Sequence, residues 1–273
     1  MVQSDVTITE GPSTGTEGAA KRPRRRRLLV AGLGIVALAA ATAVTVAVTR
    51  DGGSDAPGPS EAATGNRLDV AIVGDSLIEQ SRDQFAAHAG DLGLTVEAVA
   101  FGGSAPCDWQ DEFEHYAAER PRTLIVSFAG NDNTPCINPT GGGFRDPQTI
   151  ADAYAAMVPG ILDLYEGTGT DLYLVLPPPM GPPASEPAAA AIRDVYRAIG
   201  VARDDVTVVD PAAVLGGDGA FHLALPCEAW EQAVCGPEGT VAVRRDDGIH
   251  LTEAGGERYA RALLAAMGQP VAG

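Results

Sequence analysis

Four short blocks of the sequence hold residue types that together could carry out acyl transfer through a serine. GDS at 74–76 offers the hydroxyl of Ser76, and GGS at 102–104 offers backbone N–H groups unscreened by side chains. GND at 130–132 offers the uncharged amide of Asn131, and DDGIH at 246–250 places His250 three positions after Asp247. Serine is weakly nucleophilic until a base accepts its proton. His250 is the best candidate base, because a turn between positions 247 and 250 can direct the Asp247 carboxylate onto the imidazole; Asp246 is the alternative orienter. A carbonyl under attack gathers negative charge on its oxygen, and donors fixed in advance stabilise it. The backbone N–H groups of Ser76 and Gly103, with Gly102 as the near alternative, and the Asn131 amide can serve as those donors. Taken singly, each block has a bland reading. Gly74 suits a tight turn, Ser76 can cap a following helix, and a DxxH pair in a surface loop is common.

The other histidines compete poorly with His250. His88 falls in a helical stretch and His115 in the acidic segment DEFEHYAAER, where solvent-facing roles are expected; His222 could line a substrate path. Trp109, Phe128 and the loop PPPMGPP at 177–183 are candidates to line the acyl or alcohol site, with core packing and loop stiffening as their ordinary roles. No motif demands a metal or an organic cofactor. GLG at 32–34 lies in an apolar run and lacks the strand-to-helix setting of a phosphate loop.

The elements that must position these blocks are short apolar runs alternating with longer helical stretches. Strands are expected at 68–73, 94–100, 123–129, 171–176 and 206–209, and helices at 77–89, 147–165, 186–199 and 253–267. Runs such as LDVAIV and TLIVSFA are apolar at successive positions, which suits a parallel sheet covered on both faces. The expected fold class is therefore α/β, a three-layer α/β/α sandwich around a mostly parallel sheet of about five strands. In such a sheet, sites form beyond the C-terminal ends of the strands. GDS, GGS, GND and DDGIH all fall there. Thr252 and Glu253 favour a helix start directly after His250, which would hold the acid–base loop against the sheet.

This combination resembles the SGNH/GDSL hydrolase family, in which separated blocks contribute Ser, Gly, Asn and His to one site. The resemblance spans about residues 68–267 and implies a flavodoxin-like SGNH fold. It implies Ser76 as nucleophile, His250 as base, Asp247 as its orienter, and Gly103 and Asn131 as oxyanion donors. GDSL is intact at 74–77, while the paired glycines at 102–103 leave the register of the second block open. GGSAPCDW and FAGNDNTPC look like the cysteine-bearing forms of exported actinobacterial proteins, and DDGIHLTEAG resembles domains that deacylate or acylate envelope carbohydrates. The implied activity is a serine esterase acting on a small-acyl ester, such as an acetyl group on a carbohydrate. An O-acyltransferase using the same triad is an alternative, and a catalytically inactive carbohydrate-binding or structural domain is another.

Bulk properties bound these readings. The chain has 273 residues and a formal charge of −17; residues 1–27 carry +3, leaving −20 on the remainder. An acidic main domain would repel a phosphate backbone, which argues against a nucleic-acid binder. KRPRRRR at 21–27 precedes 22 uncharged residues at 28–49, long enough to span a bilayer as a helix with the N-terminus in the cytoplasm. A cleaved secretory signal is the competing reading, and both export the main domain. The expected organisation is a basic disordered cytoplasmic tail at 1–27, a transmembrane anchor or uncleaved signal at 28–49, a flexible linker at 50–66 and an SGNH hydrolase domain at 67–273. Export makes disulfides reasonable. Four cysteines allow three complete pairings, of which Cys107 with Cys136 and Cys227 with Cys235 is favoured. Their scattered spacing does not suit a structural zinc site. The oligomeric state is left open by the sequence.

Overall fold

A computed structural model describes residues 67–141, 145–216, 218–269 and 271. The tail, anchor and linker expected at 1–66 lie outside the described residues. Among those described, no helix is long and apolar enough to cross a membrane.

Five parallel strands form the central sheet: β1 (Val70–Gly74), β2 (Val96–Ala100), β3 (Thr123–Ser127), β4 (Asp171–Val175) and β5 (Val206–Val209). Their spatial order is β2-β1-β3-β4-β5. The chain leaves β1 in one direction to make β2 and returns past it to make β3, so the order reverses at β1. That reversal opens a crevice beyond the C-terminal ends of β1 and β3, where Gly74 pairs with Ser127.

Alternation along β1 divides the interior into two cores. Ala71 and Val73 face a cluster with Leu124, Val126, Phe113, Tyr154, Ile192 and Tyr196. Val70 and Ile72 face Ile125, Phe85, Tyr259, Leu263 and Leu264 on the other side. Helices α3 (Gln110–Glu119), α4 (Pro147–Asp163) and α5 (Glu186–Ala202) supply the first layer, while α2 (Arg82–Asp91) and α7 (Glu253–Ala266) supply the second. All five residues of β1 and of β3 are buried, which accounts for their unbroken apolar runs. This is the three-layer α/β/α fold expected from the pattern.

Two local departures matter. The single helix expected at 77–89 is split into α1 (Ser76–Glu79) and α2, because Ser81 turns its hydroxyl back to the Leu77 carbonyl at 2.8 Å and diverts the helical ladder. The segment between β5 and α7 is also more ordered than its composition suggests. It holds α6 (Ala212–Gly216) and an antiparallel pair, β6 (Ala224–Pro226) with β7 (Thr240–Ala242). The buried ion pair between Arg258 of α7 and Glu231 ties that insertion to the helix.

The disulfides are Cys107–Cys136 and Cys227–Cys235, the favoured pairing. The first joins the segment after β2 to the segment after β3. The second closes the loop between β6 and β7.

Candidate active site

The nucleophile block begins where β1 ends. Gly74 is not in a left-handed turn; its requirement is closeness, since a Cβ there would lie 2.4 Å from Ile78 and 2.8 Å from the Ser127 carbonyl. The chain then enters α1 through Asp75, whose carboxylate accepts from the Leu77 N–H at 3.0 Å. Asp75, and not Ser76, caps the helix. Ser76 is thereby released from the structural role that the sequence allowed it, and it lies on a cavity wall.

Asp75 does more than cap. Its second oxygen accepts from the Ala129 N–H at 2.7 Å and from the Asn131 amide at 3.0 Å. The group is fully buried, and burial pushes its pKa up to about 6, against the pull of the Leu77 and Ala129 N–H groups and the charge of His250. Sequence reasoning quoted this residue and gave it no role. Its place between glycine and serine at a strand end was the available signal.

Asn131 is fixed from two sides. Its amide nitrogen donates to Asp75 and to the Ser104 carbonyl at 3.1 Å, and because both partners are acceptors the nitrogen must be the atom between them. Ser104 in turn accepts from the Trp109 indole at 2.9 Å. Asp108 accepts from the Ala105 N–H at 2.9 Å and the Thr134 hydroxyl at 2.6 Å, so it clamps the same two segments that Cys107–Cys136 joins. Gly103 has φ +79°, a backbone state that favours glycine. Both Gly102 and Gly103 line the cavity.

The acid–base loop has its own internal frame. Asp247 Oδ1 accepts from the Ile249 and His250 N–H groups at 2.8 and 2.9 Å, and Oδ2 meets His250 Nδ1 at 2.7 Å. Burial opposes ionisation of Asp247, but these contacts together with the charge of His250 outweigh it and hold the carboxyl down to about 2. With Nδ1–H given to Asp247, the lone pair of His250 sits on Nε2. Gln80 Oε1 accepts from the Leu251 N–H at 2.6 Å and so bolts this loop to the turn after α1. Arg244 donates to the Ile249 and Pro179 carbonyls. Neither residue carried a signal in the sequence.

A cavity of about 400 Å³ collects these parts. Ser76, Gly103, Asn131 and His250 all line it, with Asp247 behind His250. Met180 of the proline-rich loop and Ile150 of α4 add apolar wall. Trp109 and Phe128 do not line it: Phe128 is 1 % exposed in the core, and Trp109 packs against that core. The other histidines stand apart, His88 against Glu257 and His222 against Asp218.

Comparison with known proteins gives a family and a fold. The family model described as "Protein of unknown function (DUF459)" matches residues 69–266. No curated protein sequence matches. Among solved structures, a catalytic mutant of an acetylxylan esterase from Geobacillus stearothermophilus is 14 % identical with a TM-score of 0.53, over 75 % of this chain and 95 % of that one. Another variant of an acetyl xylan esterase from the same organism is 17 % identical with a TM-score of 0.51, over 77 % and 98 %. A provisionally assigned acylhydrolase from Bacteroides fragilis is 17 % identical with a TM-score of 0.51, over 78 % and 90 %. At these identities the likeness is one of fold.

Proposed function

This chain belongs to the DUF459 family, and from that premise we propose that it is an exported serine esterase that removes a small acyl group, such as acetyl, from a carbohydrate ester. One observation carries the reading: Ser76, Gly103, Asn131 and His250 share one cavity at the C-terminal edge of the sheet, and His250 Nδ1 rests on Asp247. The acetylxylan esterases of the same fold support the choice of acyl group and of carbohydrate. The two disulfides support an oxidising compartment, which is where the expected anchor or signal at 28–49 would deliver the domain.

In the proposed cycle Ser76 Oγ attacks the ester carbonyl carbon as its proton passes to His250 Nε2. The carbonyl electron pair moves onto oxygen, where the Ser76 and Gly103 N–H groups receive it. Asn131 already donates to Asp75 and Ser104, so it would add a shared, three-centre bond. Asp247 stabilises the imidazolium without taking its proton. The tetrahedral centre collapses, the alkoxide leaves with the proton from His250, and an acyl-serine remains. Water that gives its proton to His250 then attacks the acyl carbon and frees Ser76. A sugar hydroxyl entering in place of water would make the same residues an O-acyltransferase.

The test is an incubation of the full chain with a small activated acetyl ester, compared with Ser76→Ala. Turnover and an acetyl mass adduct on Ser76, both lost in the variant, are expected. Unchanged turnover in Ser76→Ala would remove Ser76 from the reaction. Product masses in the presence of glycan acceptors separate hydrolysis from transfer.

A further inference from the structure

Arg145 lies on the wall of the cavity that holds Ser76 and His250, just before α4. Its backbone N–H donates to Asp132 Oδ2 at 2.6 Å, and one terminal nitrogen reaches Asn138 Oδ1 at 3.3 Å. These contacts hold the residue in place without neutralising it. Among the described residues no carboxylate pairs with the guanidinium, and Nε is buried with no hydrogen-bond partner. Other arginines of this acidic domain are treated differently. Arg193 faces Glu186, Arg203 faces Asp163 and Asp205, and Arg258 faces Glu231. Arg244 also lacks a carboxylate, but it spends two nitrogens on the Ile249 and Pro179 carbonyls.

A buried N–H left unmet in the apoprotein is costly, and a ligand that supplies an acceptor recovers that cost. The guanidinium presents donors in a planar fork that fits two oxygens of one anion. The cavity also explains why such a group is needed. Asp75 and Asp132 line the same wall, and Asp247 stands behind His250, so an anionic substrate would meet carboxylates wherever it turned. Arg145 is the one permanent cation on that wall among the described residues.

We propose that Arg145 is a specificity residue that binds an oxyanion, a carboxylate or a phosphate, on the alcohol portion of the ester, while Ser76 acts on the neighbouring acyl group. This rests on the esterase reading above. A small acyl group has no charge to offer, so the anion belongs to the sugar side.

The test uses the full chain and three acetylated sugars: glucose, glucuronate and glucose 6-phosphate. Native kcat/KM is expected to favour one or both anionic esters by about 10-fold to 100-fold, as a charged hydrogen-bonded pair allows. Arg145→Gln should bring the ratio near unity, mainly through KM, and Arg145→Lys should keep part of it. The two anionic arms separate carboxylate from phosphate. A native chain that cleaves the neutral ester as well as both charged ones overturns the proposal, and so does Arg145→Gln with its preference intact. Calorimetry on Ser76→Ala with the free sugars asks the question without catalysis. Binding of glucuronate or glucose 6-phosphate but not glucose, lost on adding Arg145→Gln, supports Arg145; equal binding of all three overturns it. Failure to cleave any of the esters would count against the esterase reading, while the binding result would still decide the role of Arg145.

Discussion

Asp75 is fully buried and Ser76 is 6 % exposed, whereas the side chains of Asp247 and His250 are 44 % and 35 % exposed. The two halves of the site are thus built by different means. The Asp75 carboxylate gathers Leu77, Ala129 and Asn131, residues up to 56 positions apart, across the ends of two strands. The Asp247 carboxylate gathers only Ile249 and His250, within three positions of itself. Geometry on the first side is a property of the whole sheet; on the second it is a property of one turn. Damage to the first should therefore appear as lost stability along with lost activity, and damage to the second as lost activity alone.

The sharpest way to break that contrast is His250→Ala. Loss of the base should lower kcat for an activated ester by about 10⁴-fold, and the unfolding free energy should move by no more than about 0.5 kcal/mol, as for a partly exposed side chain. Ester turnover and a urea titration measure both. A stability loss above about 2 kcal/mol would show that the loop is not independent of the fold.

The next largest effect separates two disulfides. Cys107–Cys136 spans 29 positions and joins the two segments that hold Ser104 and Asn131; Cys227–Cys235 spans 8 and lies in the β6–β7 insertion. Loop-closure entropy gives roughly 3–4 kcal/mol for the first and roughly 2–3 kcal/mol for the second. Replacing Cys107 and Cys136 by serine should also lower kcat, while replacing Cys227 and Cys235 should leave it unchanged. Equal effects on kcat would mean that the first bond does not steady the cavity.

The same contrast explains what could be read in the sequence. The loop half was legible because its partners are close in sequence: a DxxH before a helix start contains Asp247, His250 and the Thr252 cap. The strands were legible because full burial leaves unbroken apolar runs, and all five fell within two residues of their expected ends. The sheet half was only partly legible. Asp75, Gln80 and Arg145 act through partners 54, 171 and 7 or 13 positions away, and no spacing rule connects them. Phe128 and Trp109 were natural candidates for a pocket wall, but an aromatic residue near a strand end serves a core equally well. The β6–β7 pair was missed because three-residue strands carry too little periodicity to register.

Asp75→Asn probes the sheet half directly. An asparagine offers one oxygen where the carboxylate meets three donors, so at least one of the Ala129 and Asn131 bonds is lost, at about 2 kcal/mol. The pH dependence has a defined sign. Because burial raises the folded pKa from 3.8 to about 6, the unfolded chain releases this proton first as pH rises. This group therefore makes the protein less stable between about pH 4 and 6 as pH increases, and adds no slope above that window. The variant should lack that slope. Urea midpoints of both proteins from pH 4 to 7 decide it, and parallel curves would assign the slope to other groups.

The smallest effect bears on the seam between the halves. Gln80 stands in the turn that splits α1 from α2, and its oxygen holds the Leu251 N–H at 2.6 Å, directly after His250. The loop has other ties, since Gly181 donates to the Gly248 carbonyl at 2.9 Å and Arg244 donates to Ile249. Gln80→Ala should therefore cost about 1 kcal/mol of stability. It should also lower kcat by about 10-fold, because His250 keeps its Asp247 partner but loses its registry with Ser76. Gln80→Glu keeps the acceptor and should restore most of kcat. If Gln80→Ala lowered stability without touching kcat, the seam would serve only the fold, and the acid–base loop would find Ser76 through Gly181 and Arg244 alone.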